Sequence, residues 1–164
     1  MAKKKTNVGT ILGAVAVVLG IVAVCMFFLT SVKVVSKVLS VTSTTEFKGK
    51  DVVFGLEDYA GFSFMNLLPY ILVIVGVVFA IVALVSKKNA KMFDYIAGIA
   101  MVVAGVLFFI TAGFTQWTEG YRNALDLGIK AETTTVSLGI GAIISAITSI
   151  LAGVLVCAKQ LMKK

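Results

Sequence analysis

Long uncharged stretches alternate with short polar ones along this chain. Residues 8–30, 59–86, 95–118 and 133–158 contain no charged side chain. The shortest of them already exceeds the roughly 20 apolar residues a helix needs to cross about 30 Å of hydrocarbon. The pattern predicts an all-α membrane protein, a single four-transmembrane-helix bundle occupying the whole chain. The spans fall at about 8–30, 66–86, 93–116 and 133–158. Between them lie an outer loop at 31–65, an inner loop at 87–92 and a second outer loop at 117–132.

Small residues recur along each span at steps of four and three. In the first, Gly9, Gly13, Ala16, Gly20 and Ala23 form one stripe; in the second, Gly76, Ala80 and Ala83 continue the pattern. The third has Ala97, Ala100 and Ala104, with Gly98 and Gly105 on a neighbouring line. The fourth has Gly141, Ser145, Thr148 and Ala152, flanked by Ala142 and Ser149. Lipid tails are as apolar as leucine, so helices associate there by close packing, and small residues let backbones approach. The spacing predicts a left-handed bundle. The first stripe is expected to meet another span of the same chain, or a second copy in a homo-oligomer. Pro69 falls in the expected first turn of the second span, where a missing N–H is tolerated.

The outer loops have their own patterns. Leu39-Ser40-Val41-Thr42 and Asp51-Val52-Val53-Phe54 have strand character around Phe47-Lys48-Gly49-Lys50, and predict a small hairpin. The alternative is a first helix extended through Ser40. In the second loop Phe114, Trp117, Tyr121 and Ala124 or Leu125 recur at helical spacing with Gly128 beyond them, so the third helix is expected to project outward. Trp117 and Tyr121 are expected at headgroup level or against the hairpin. Thr133, Thr134 or Thr135 would cap the fourth span.

Charge supplies an orientation. The net charge is +7 with no histidine. Lys3, Lys4, Lys5, Lys87, Lys88, Lys91, Lys159, Lys163 and Lys164 fall on one side of an alternating topology, hugging span ends. The positive-inside rule then puts both termini in the cytoplasm of a cell-membrane protein. The opposite side mixes Lys33, Lys37, Lys48, Lys50, Arg122 and Lys130 with Glu46, Asp51, Glu57, Asp58, Glu119, Asp126 and Glu132. The lipid bilayer, rather than nucleic acid, is the partner this distribution implies. The basic start reads as an uncleaved span, since its apolar run exceeds a signal-peptide core and no small-x-small site follows. Cys25 and Cys157 fall near opposite bilayer faces, beyond disulfide reach.

Candidate chemistry is sparse. Without histidine the chain lacks the commonest general base and transition-metal ligand. Neither a Gly-x-x-x-x-Gly-Lys loop nor a Gly-x-Ser-x-Gly elbow occurs. Glu57 and Asp58, with Glu46 and Asp51, lack calcium-loop spacing. Asp94 reads as an interfacial residue at a helix N-terminus, leaving no ionisable group deep in a span. No catalytic residue, cofactor or metal site is expected.

Inner termini, a longer first outer loop with strand character, a short inner connector and a shorter second outer loop resemble the layout of claudin-type tetraspan membrane proteins. The Trp-Gly-Leu-Trp and paired-cysteine signature of that family has no counterpart in residues 31–65. The expected function is a structural, scaffold or accessory-subunit role, with a homo-oligomer or other membrane proteins as partners. The alternative is an oligomeric channel or passive transporter lined by Ser145, Thr148 and Ser149.

Overall fold

Each of the four apolar stretches forms a helix long and apolar enough to cross a membrane. A computed structural model describes residues 8–38, 41–86, 89–130 and 133–161. The lysines at 3, 4, 5, 87, 88, 163 and 164, and Glu132, on which much of the expected orientation rests, lie outside the described residues.

In chain order the elements are α1 (Val8–Cys25, prolonged by a 3-10 turn over Met26–Phe28), β1 (Thr30–Val38), β2 (Val41–Lys48), α2 (Gly49–Phe54), α3 (Phe64–Val85), α4 (Ala90–Phe109), α5 (Thr111–Phe114), α6 (Glu119–Lys130), β3 (Thr134–Leu138) and α7 (Ile140–Leu161). The long helices α1, α3, α4 and α7 form a ring. In it α1 and α4 each pack against both α3 and α7. Everything between α1 and α3, and between α4 and α7, gathers at one end of the bundle as a cap.

Small residues face inward as their spacing predicts. The buried positions of α1 are Gly9, Gly13, Ala16, Gly20 and Ala23. Gly76, Ala80, Gly141 and Ser145 are likewise buried. A side chain at Gly20 would run into Val77, and one at Gly76 would stand 2.6 Å from Met101 Cγ. The tightest contact joins α4 to α7 backbone to backbone: a Cβ at Gly153 would lie 2.7 Å from the Gly98 carbonyl oxygen, and one at Gly105 would lie 2.9 Å from that of Ala146. The α1 stripe is thus used inside the chain, against α3 and α7, rather than left open for a second copy. In α4 it is Met101, wholly buried, that lies on the packing line, while Ala100 is half-buried. Bulky Ile, Val and Phe side chains point outward around the ring, as expected where the surrounding solvent is hydrocarbon.

Four boundaries depart from expectation. The first helix ends near Phe28, because β1 draws the chain into a sheet. α3 begins at Phe64, capped by the Ser63 hydroxyl, which accepts from Asn66 N–H. Pro69 therefore lies in its second turn, where its missing N–H deprives the Met65 carbonyl of its usual helical donor. α4 stops at Phe109, and α5 and α6 follow as separate pieces instead of one projecting helix. Finally, Thr134 and Thr135 belong to β3 rather than capping the fourth span, and α7 starts only at Ile140.

The sheet also differs from a two-stranded hairpin. Its order is β2-β1-β3, both pairings antiparallel, so the fold is mostly helical rather than all-α. β1 and β2 meet through residues 39–40, outside the described residues; Asp51–Phe54, expected as the second strand, is helical. The reason lies in long-range pairing. The Thr30–Val38 and Val41–Lys48 runs are longer, carrying five and four β-branched residues against two in each expected strand, and β3 adds a second partner for β1. Gly49, at the start of α2, cannot carry a side chain: a Cβ there would stand 2.6 Å from both the Phe27 carbonyl oxygen and the Tyr70 hydroxyl.

Close backbone approach makes a specific prediction. Gly153→Leu should destabilise the protein in detergent near the upper end of the roughly 1–3 kcal/mol that overpacking costs. Gly120→Ala, where nothing lies within 4 Å, should be neutral or slightly stabilising. Equal melting temperatures for Gly153→Leu and the parent would contradict the packing described here.

Candidate functional site

The cap is the largest surface the fold builds outside the bundle. One face of its sheet carries Val32, Val34 and Phe47, all buried. The other carries Lys33 opposite Glu46, Val35 opposite Thr44 and Lys37 opposite Thr42, because directly paired residues share a face. Phe47 centres an aromatic cluster, with ring centroids 5.1 Å from Trp117, 5.8 Å from Tyr59 and 6.1 Å from Tyr121. Trp117 and Tyr121 therefore pack on the hairpin, the second of their two expected positions. Leu125 and Val52 complete this small core. Burial, and then the neighbouring Tyr59, push the Tyr121 phenol up, against a hydrogen bond with Thr45.

Polar bonds fix the cap to the bundle. Asn66, buried in the first turn of α3, donates through Nδ2 to the Val52 carbonyl (3.2 Å) and to Thr115 Oγ1 (3.3 Å). Thr115 in turn donates to the Thr111 carbonyl at 3.1 Å, and Ser63 Oγ to that of Phe114 at 2.8 Å. These groups satisfy the backbone where the chain breaks between α4 and α6. Asn66 was missed in the sequence reading, because a lone amide near a span end carries no periodic signal. Beside the break lies a polar cavity of about 250 Å³ lined by Thr115, Gln116, Trp117 and Arg122 among others. The loop before α3 is tied to the same segment, Thr118 Oγ1 donating to the Asp58 carbonyl at 2.8 Å. Gly55 (φ 92°) and Asp58 (φ 69°) supply the left-handed backbone that this loop requires.

At the opposite end of the bundle the structure corrects the expectation for Asp94. It lies near the N-terminus of α4, as expected, but is fully buried by neighbouring helices, and its Oδ1 accepts from Lys159 Nζ at 2.8 Å; Lys159 is 2% exposed. Gln160 Nε2 donates to the other carboxylate oxygen. The two helices run antiparallel, so an acid near the N-terminus of α4 meets a base near the C-terminus of α7. Each charge sits at the helix end whose dipole favours it. Gly13 leaves the space: a Cβ there would lie 3.4 Å from Lys159 Nζ. The sequence did carry a signal. Steps of three and four through Ala97, Met101, Ala104 and Phe108 reach Asp94 when extended backwards. The same steps through Ser145, Ser149, Ala152 and Val156 end on Lys159.

The remaining sequence candidates are dispersed. Ser145 Oγ donates to the Ala23 carbonyl at 3.0 Å and Thr148 Oγ1 to that of Ile144 at 2.7 Å, while Ser149 is wholly buried. All three are held within or against this chain's own bundle. Cys25 and Cys157 are free thiols at opposite ends of the helices. Among the described residues no group of His, Cys, Asp or Glu is arranged to hold a metal ion. No family model, curated protein or solved structure matches the chain.

Two predictions follow from the charges. Asp94→Ala or Lys159→Met alone strands a buried charge and should cost about 3–5 kcal/mol. The double replacement Asp94→Leu/Lys159→Met should recover most of that in detergent melts; single variants as stable as the double would refute the pairing. In the cap, hydrogen bonds from Lys33 and Thr30 hold the Glu46 carboxyl below the usual glutamate range. Its contribution is complete above the unfolded glutamate value of about 4.3, and is lost as pH falls through the lower folded value. The emission of Trp117, the sole tryptophan, should therefore report a modest acid loosening that Glu46→Gln flattens. Superimposable acid profiles would count against it.

Proposed function

We propose that the chain is a small multi-pass protein of the cell membrane with a structural, scaffold or accessory-subunit role. It works through helix packing within the bundle and through contacts of the cap with other membrane proteins or further copies of itself. The observation that carries this reading is the cap. Two loops distant in sequence fold into one three-stranded sheet with its own aromatic core, bonded to the ends of α3, α5 and α7. Such ordering of polar chain costs about 1–2 kcal/mol of backbone entropy per residue. A rigid surface, rather than flexible connectors, is what an interaction role needs. The lysine-dense span ends support a cytoplasmic placement of both termini, with the cap outside. The heptad-like stripes support left-handed crossings.

No observation favours the channel reading. Of the three residues on which it relies, Ser145 and Ser149 face the interior of a single chain, and the half-buried Thr148 donates back to its own helix at the Ile144 carbonyl.

Cross-linking in native membranes followed by mild solubilisation tests the proposal. The 17.3 kDa chain should be recovered in a larger assembly of defined mass. Recovery only as a monomer, with solute flux through proteoliposomes of the purified chain, would replace it with the transport reading.

A further inference from the structure

We propose that β2 pairs edge to edge with β2 of a second copy, antiparallel about Thr44, joining two caps through a continuous six-stranded sheet. This rests on the structural reading above and names its partner.

The sheet has two edges, and they are treated differently. β3 is covered by α5 and α6: Thr133 N–H bonds to the Gly128 carbonyl at 2.9 Å, and Gly128 packs directly on Thr134. β2 has no strand on its outer side among the described residues, and Val41, Thr42, Ser43 and Thr44 are exposed. An open edge is a row of unpaired N–H and C=O groups, usually blunted by lysine, proline or a bulge. Val41-Thr42-Ser43-Thr44-Thr45 has none of these, and the register of β1 with β2 is regular from Val32 to Val38.

Charge selects a second copy as the occupant. The chain carries +7 overall, yet residues 41–45 are neutral, and Glu46 is the one charged residue in the 41–47 stretch that two copies would share. A two-fold axis perpendicular to the sheet keeps both buried faces on one side and must pass midway between the two copies of one self-paired residue, since paired residues share a face. Centred on Thr44, it sets Thr42 opposite the second copy's Glu46. Lys37 lies opposite Thr42 on β1 and Lys33 opposite Glu46, where its ammonium is 2.8 Å from the carboxylate. The row across the joined sheet then reads Lys33, Glu46, Thr42, Lys37. Each carboxylate then has Lys33 on one side and, beyond the second copy's Thr42, Lys37 two strands away on the other, and no like charges are adjacent. Lys37 is exposed and has no ion-pair partner among the described residues.

Disulfide trapping tests the register. In a Cys25→Ala/Cys157→Ala background, Thr44→Cys places two thiols across the axis, within the roughly 4.4–6.8 Å between Cα atoms that a disulfide needs. Thr42→Cys places its two copies about 13 Å apart along the strands at 3.3–3.4 Å per residue. In proteoliposomes under mild oxidant, Thr44→Cys should dimerise roughly tenfold faster than Thr42→Cys. Thr44→Lys, with an unchanged melting temperature, should show a several-fold lower dimer fraction by single-molecule photobleaching. Equal trapping at the two positions, or a dimer fraction indifferent to Thr44→Lys, overturns the edge pairing. If that happens while the native-membrane assembly persists, only the edge is wrong. If the assembly is absent too, the structural reading falls with it.

Discussion

Helices dissolved in hydrocarbon gain nothing by hiding leucine from a solvent as oily as leucine, so close backbone approach has to hold them together. That constraint organises this bundle. Gly98 and Gly153 bring α4 and α7 to where each Cβ is replaced by the other helix's backbone, and Gly105 and Ala146 repeat the arrangement higher up. Gly20 of α1 and Gly76 of α3 instead make room for neighbouring side chains, Val77 of α3 and Met101 of α4. Larger side chains are left for the periphery, where they meet lipid.

The same closeness explains how a charge pair survives inside. Asp94 and Lys159 are covered on all sides, and an isolated charge in such a place is expensive. Here the antiparallel course of α4 and α7 sets complementary helix ends side by side, Gln160 supplies a further donor, and Gly13 yields space to the ammonium. The pair ties the ends of α4 and α7 that lie away from the cap, beyond a contact in which glycines and alanines meet Met101, Ile150 and Val156.

At the other end the cap draws rigidity from a different source. Its sheet is held by long-range pairing of β1 with both β2 and β3, and its core by aromatic rings gathered on Phe47. Asn66, Ser63 and Thr115 bridge it to the helices. β3 precedes α7 directly, with Gly139 N–H bonded to the Ser31 carbonyl at 2.8 Å, so cap and bundle are joined by hydrogen bonds as well as by the chain. That mechanical unity is the strongest physical argument for reading the cap as a surface built for contact.

Local pattern alone determined the four spans, their stripes of small residues, the strand character of the first loop and the separation of the two cysteines. These follow from lipid thickness and helical periodicity, which act within a single segment. Tertiary structure decided the rest. The hairpin slipped from Leu39–Thr42 with Asp51–Phe54 to Thr30–Val38 with Val41–Lys48, because register depends on partners, among them β3, almost a hundred residues away (Ser36 Oγ lies 3.1 Å from Thr134 Oγ1). The burial of Asp94 and its pairing with Lys159 were not legible locally, because both depend on where α7 ends in space. Periodicity says which face of a helix turns inward; only the assembled bundle says what that face meets.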